Sequence, residues 1–147
     1  MSIKIKITRV MIDGIRPIAG WLLSAIASAI FLYAAFLKLA SNAMEIAGFT
    51  LFGLPIWFMY LVGIAEVTGV ALLLLTKQRL AGAWILSVVG LGAAFELATH
   101  AQLGMAPVPL VLAAFALGGA RLRSASGSIR ASEDRILRGD PSSVSFR

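Results

Sequence analysis

Cysteine is absent from this chain, which excludes disulfides, thiolate metal ligands and thiol relay chemistry within it. Histidine occurs once, as His100. A single imidazole cannot supply both axial ligands of a membrane cytochrome haem, and with no cysteine or second histidine there is no donor set for zinc. No glycine-rich phosphate loop is present, because the Gly90 and Gly92 pair falls inside an apolar run. No serine occupies a nucleophile elbow with an acid and a histidine to support it. The residues therefore nominate no catalytic set and no metal ligands. Charge is also scarce: Asp, Glu, Lys and Arg make up 14% of the 147 residues, against roughly 25% in soluble domains.

What is present is apolar sequence, 59% of the chain. A hydrocarbon core of about 30 Å needs about 20 helical residues to cross it. Four runs meet or approach that length: about 18–40, 55–76, 80–100 and 106–122, the last opened by Pro107 and Pro109. The expected fold is all-α, a transmembrane four-helix bundle with antiparallel neighbours. The first run is read as a retained anchor, since its apolar part exceeds a signal-peptide core of about 7–15 residues and further spans follow.

Basic residues give the orientation. Lys4, Lys6, Arg9 and Arg16 precede the first run, Lys77 and Arg79 lie between the second and third, and Arg121 and Arg123 follow the fourth. In a four-span chain these positions share one side, and the positive-inside rule makes it cytoplasmic, with both termini there. The formal charge of +6 is mostly this orientation signal, directed at the lipid bilayer and its anionic headgroups, and no nucleic-acid partner is implied. Trp21 and Trp84 near the cytoplasmic starts of their runs, and Trp57 near an outer start, suit interfacial positions.

Three segments flank or link the spans. Residues 1–17 read as a basic cytoplasmic arm on the membrane surface. "SNAMEIAGFTLFGLP", between the first two spans, is too polar at Asn42 and Glu45 to cross and is expected in the outer interface. Residues 123–147, rich in serine and arginine, read as a mostly disordered cytoplasmic tail, with one short helix capped by Ser132.

The informative residues are the ionisable ones placed among apolar neighbours, where a charge at a helix centre costs about 2.5–3.5 kcal/mol even on lenient scales. Glu66 lies eleven residues past Pro55, about 16 Å down at a rise of about 1.5 Å per residue, near the midplane. Gly63 and Gly69 flank it and permit close helix packing, so Glu66 is expected to face protein. Glu96 and His100 stand four positions apart on one helix face. Lys38 falls at a similar depth to Glu96, and a Lys38–Glu96 pair would spare each an isolated charge. Snorkelling of Lys38 to the headgroups remains open as the alternative, as does a helix-end cap for His100. Lys38, Glu66, Glu96 and His100 are thus the candidate ligand-binding or proton-relay residues, a polar cluster toward the outer mouth with Glu66 beneath it.

"AAFLKL" at 34–39, "GLP" at 53–55, "GIAEVTGVALLLL" at 63–75 and the histidine closing the third run together resemble the DoxX-like family of small four-helix membrane proteins of bacteria and archaea. The resemblance spans roughly residues 18–120, and the block around Gly63, Glu66 and Gly69 carries most of it. Ala35 stands where the family pattern has a glycine. The resemblance implies the fold and a multi-pass place in the bacterial or archaeal inner membrane. Because the founding member is a subunit of a membrane thiosulfate:quinone oxidoreductase, it also implies quinone as a ligand and an oxidoreductase partner subunit. Two other roles stay open: a proton- or cation-coupled transporter acting as a homo-oligomer around Glu66, and a membrane scaffold without activity of its own.

Overall fold

A computed structural model describes residues 2–100 and 107–137 of the chain, with side chains from 15–100 and 107–124. Five helices form: α1 (Ser2–Leu39), α2 (Ala43–Leu51), α3 (Ile56–Leu74), α4 (Arg79–Thr99) and α5 (Pro107–Leu137). No strand occurs among the described residues.

Three of these helices are long and apolar enough to cross a membrane, over Ile15–Leu39, Ile56–Leu74 and Arg79–Thr99. Large apolar side chains cover the outside: Leu22, Tyr33, Phe36, Ile64, Val88 and Phe95 are all more than two-fifths exposed. Soluble monomers do not carry an apolar surface this extensive, and a lipid solvent removes its cost. Trp21, Trp57 and Trp84 share that outer surface.

The helices pack as a ring. α1 contacts α3 and α5, and α4 contacts the same two helices, so α4 stands across the ring from α1. A four-residue turn, 75–78, reverses α3 into α4. There a Cβ on Gly82 would collide with the backbone nitrogen of Leu73 and the carbonyl oxygen of Gly69; glycine is what allows these two backbones to approach. Between the four long helices, Ala27 and Phe31, Val70 and Leu73, Ala83 and Leu86, and Ala116 and Ala120 form one buried apolar core. Small residues on α1 and α5 keep it tight, since in lipid the association depends on packing rather than on exclusion of water.

Local chemistry sets the ends of α2. Asn42 caps it, its side-chain oxygen accepting from the Met44 amide at 2.9 Å, the usual reward for Asn before a first turn. After Phe52 the chain turns at Gly53 with φ +70°, a conformation that costs glycine nothing. Pro55 then precedes α3.

Two boundaries differ from the sequence reading. The segment 2–17, expected as an arm separate from the first span, is helical and continuous with it through Pro17. Lysine and arginine are good helix formers, and an alternating apolar and basic pattern has no partner strand here to pair with. Likewise α5 does not end near Leu122: its backbone stays helical to Leu137 where a mostly disordered tail was expected, because Arg, Ala, Glu, Ile and Leu outweigh the single Gly127 in that stretch. Ser132 accordingly lies inside α5 and not at a helix start. The rest of that tail, 138–147, and the loop 101–106 lie outside the described residues.

Candidate functional site

Glu66 is the eleventh residue of α3 and is buried. One turn before it, Gly63 presents bare backbone to the end of α1: a Cβ there would stand 3.1 Å from Leu39 Cγ and 3.3 Å from Lys38 Cβ. This close approach delivers Lys38 to the carboxylate. Lys38 Nζ lies 3.3 Å from Glu66 Oε1 and 3.7 Å from Glu45 Oε2 on α2. Its remaining contact is with the Ala34 carbonyl oxygen at 3.5 Å, one turn back along α1. The ammonium is therefore drawn toward the interior and does not snorkel outward. Side-chain exposure falls from 24% at Glu45 to 11% at Lys38 and 4% at Glu66, so the three groups descend from the surface into the helix ring.

An ammonium between two carboxylates answers the desolvation problem that each charge would meet alone. The answer is incomplete: Glu66 Oε2 is buried and has no hydrogen-bond partner. A buried acceptor left unmade costs about 1–3 kcal/mol, and such atoms in a folded protein call for an explanation.

The apolar core closes one side of the cluster. Val70 and Leu73, one and two turns further along α3, join Phe31 and Leu86 in the apolar core. On the other side lies α2, which has no buried residues of its own. The turn leading into it is tied to α3 by the 2.6 Å hydrogen bond between Ser41 Oγ and Tyr60 OH, and α2 itself by the tilted contact of Phe49 with Phe58, 6.4 Å between centroids.

Of the four residues nominated from sequence, Lys38 and Glu66 are brought together, and Glu96 and His100 are not joined to them. The expected Lys38–Glu96 pair does not form. Equal depth along two helices does not suffice when the helices stand across the ring from each other, and α1 spends its packing faces on α3 and α5. Glu96 instead faces His100, with Oε2 3.7 Å from Nδ1, and His100 caps α4, its backbone N–H donating to the Glu96 carbonyl oxygen. His100 Nδ1 is also 3.0 Å from that oxygen, and its ring lies 4.6 Å from Phe52. This makes it a helix-end fixture that meets the segment following α2. No group of His, Asp or Glu suited to a metal ion occurs among the described residues.

Glu45 is the member that sequence reasoning missed. Its signal was Asn42 followed three residues later by Glu45, the spacing of a capping box, which marks a helix start and hence a fixed side chain where only an interfacial segment was expected. Arg123 was missed in another way, as an orientation charge. It is 5% exposed, donates from Nη1 to the Leu73 carbonyl at 3.1 Å and from Nη2 to the Leu74 carbonyl at 3.3 Å, and covers the Trp21 ring.

Compared with known families, residues 22–119 match the model of the DoxX-like family. The chain belongs to the DoxX-like family. The match covers about two thirds of its length and includes Lys38, Glu45, Glu66, Glu96 and His100, while Arg123 lies outside it. No curated protein and no solved structure matches the chain. With the three apolar helices, the family makes this DoxX-like chain a membrane protein.

Proposed function

We propose that this DoxX-like protein holds the headgroup of a membrane-borne quinone at the Lys38–Glu45–Glu66 cluster, as an accessory subunit of quinone-linked redox chemistry. In this reading it crosses a bacterial or archaeal inner membrane four times, α5 included, with both termini cytoplasmic. The redox centre belongs to a partner subunit, since the chain has no cysteine and one histidine.

The observation that carries the reading is the buried, unpartnered Oε2 of Glu66 beside an ammonium held by two carboxylates. A ligand polar at its head and apolar in its body suits a site with polar groups at its centre and lipid-facing helices around it. Intramembrane ionisable residues of this kind mark ligand and proton pathways.

A proton- or cation-coupled transporter would use the same carboxylate, and the graded exposure of Glu45, Lys38 and Glu66 would serve it as an entry path. It would also need a route past Phe31, Val70 and Leu73, which the core fills. That plug favours a site approached from one side.

The test is equilibrium binding of decylubiquinol, the reduced form of a short-chain quinone, to the full chain in lipid nanodiscs under anaerobic conditions. Saturable binding that weakens at least tenfold in Glu66→Gln supports the proposal. Absence of binding, together with proton-driven uptake into vesicles abolished by the same substitution, supports the transporter. Wild-type behaviour of Glu66→Gln in both assays leaves a scaffold.

A further inference from the structure

The buried polar atom left without a partner in the cluster is an acceptor. Lys38 has three N–H donors; Glu66 Oε1 at 3.3 Å and Ala34 O at 3.5 Å lie within hydrogen-bond reach of its ammonium, and Glu45 Oε2 at 3.7 Å holds it as an ion pair. The ammonium thus already has three acceptors about it. On the acceptor side Glu66 Oε2 is buried without a partner, in a side chain only 4% exposed. An ionised carboxylate oxygen accepts hydrogen bonds and gives none.

From this imbalance we infer that the cluster selects the hydroxyl-bearing, reduced form of its ligand, a quinol, over the carbonyl-bearing quinone. The inference rests on the quinone-class reading above. A quinol hydroxyl donates to Glu66 Oε2 and completes the site without disturbing the lysine. A quinone carbonyl brings a second acceptor to the same place, and it gains a donor only by drawing Lys38 away from one of its carboxylates. Sites built to bond a hydroxyl reject analogues that lack it strongly, because their own polar groups are then left unpaired.

Glu45 sets how strongly. As the more exposed of the two carboxylates on Lys38, it competes by charge for the ammonium that a carbonyl would need. Removing its charge frees the ammonium and helps the quinone selectively. Replacing Glu66 by glutamine acts differently, since an amide offers both a donor and an acceptor and no longer distinguishes the two forms.

The experiment measures equilibrium dissociation constants of decylubiquinol and decylubiquinone, under anaerobic conditions, for the full chain in nanodiscs. The wild type is expected to bind the quinol at least tenfold more tightly, raising the midpoint potential of the bound couple by about 30 mV per tenfold, which redox titration reads independently. Glu45→Gln is expected to tighten quinone binding severalfold with quinol binding unchanged, and Glu66→Gln to bring the two forms within about twofold of each other. Equal or tighter binding of the quinone by the wild type overturns the inference, as does a preference that survives Glu66→Gln. Should Glu66→Gln not fold, unchanged quinone affinity in Glu45→Gln overturns it. If both forms bind equally and both depend on Glu66, the selectivity fails while the quinone-class reading stands; if neither binds, that reading fails too.

Discussion

The guanidinium of Arg123 lies over the Trp21 ring, 3.7 Å from its centroid, while its two terminal nitrogens donate to the last carbonyls of α3. One side chain on α5 thereby fastens the start of the first apolar stretch to the end of α3. A helix C-terminus has unmatched carbonyls and a negative dipole end, both of which favour a cation there.

Arg123→Gln should therefore lower the thermal stability of the protein by about 1–3 kcal/mol, the cost of leaving buried acceptors unmade. Arg123→Lys should recover only part of it, because a point-like ammonium cannot serve two carbonyls and stack on an indole together. Unfolding followed by circular dichroism in detergent measures both. Arg121 is exposed, and Arg121→Gln is the control expected to change stability by less than about 0.5 kcal/mol.

Two glycines of α4 should respond in opposite ways. Gly82→Val pushes a side chain into the backbone of α3 and should destabilise the protein by about 1–3 kcal/mol or more. A Cβ added at Gly92 would meet nothing within 4 Å, so Gly92→Ala should be neutral or stabilise by up to about 1 kcal/mol through helix propensity. The same melting experiment reads both, and equal effects would contradict the packing described for the α3–α4 seam.

Ligand binding should separate the two carboxylates that the sequence placed in one cluster. Glu66→Gln should weaken decylubiquinol binding at least tenfold, whereas Glu96→Gln and His100→Gln should leave it within about twofold, since a surface pair of this kind contributes about 0–1 kcal/mol and does not touch Lys38. Titration of the three variants side by side decides. A Glu96→Gln defect as large as that of Glu66→Gln would return Glu96 to the site.

Much of the fold was legible because a bilayer imposes simple rules: apolar length gave α3 and α4 to within two residues at each end, and the membrane part of α1 to within three. The extensions of α1 and α5 were not legible, as lysine- and arginine-rich sequence suits both a surface arm and a continuing helix. At the site, Glu66 stood out because a carboxylate near a helix centre needs a protein partner. Its partner did not stand out. Depth along the chain is readable from sequence, but rotation about the bundle axis is not, and it is rotation that places α1 beside α3 and across from α4. Glu45 needed a tertiary fact as well, the return of α2 over the end of α1.

The site depends on Lys38 pairing with Glu66, and a double-mutant cycle measures that pairing most directly. Lys38→Met, Glu66→Gln, Glu96→Gln and the two double variants would be melted under identical conditions, a single break of a buried pair being worth about 3–5 kcal/mol. The expected result is a coupling energy of at least about 1 kcal/mol between Lys38 and Glu66, and coupling between Lys38 and Glu96 within the error of about 0.5 kcal/mol. Strong coupling of Lys38 to Glu96, with none to Glu66, would contradict it.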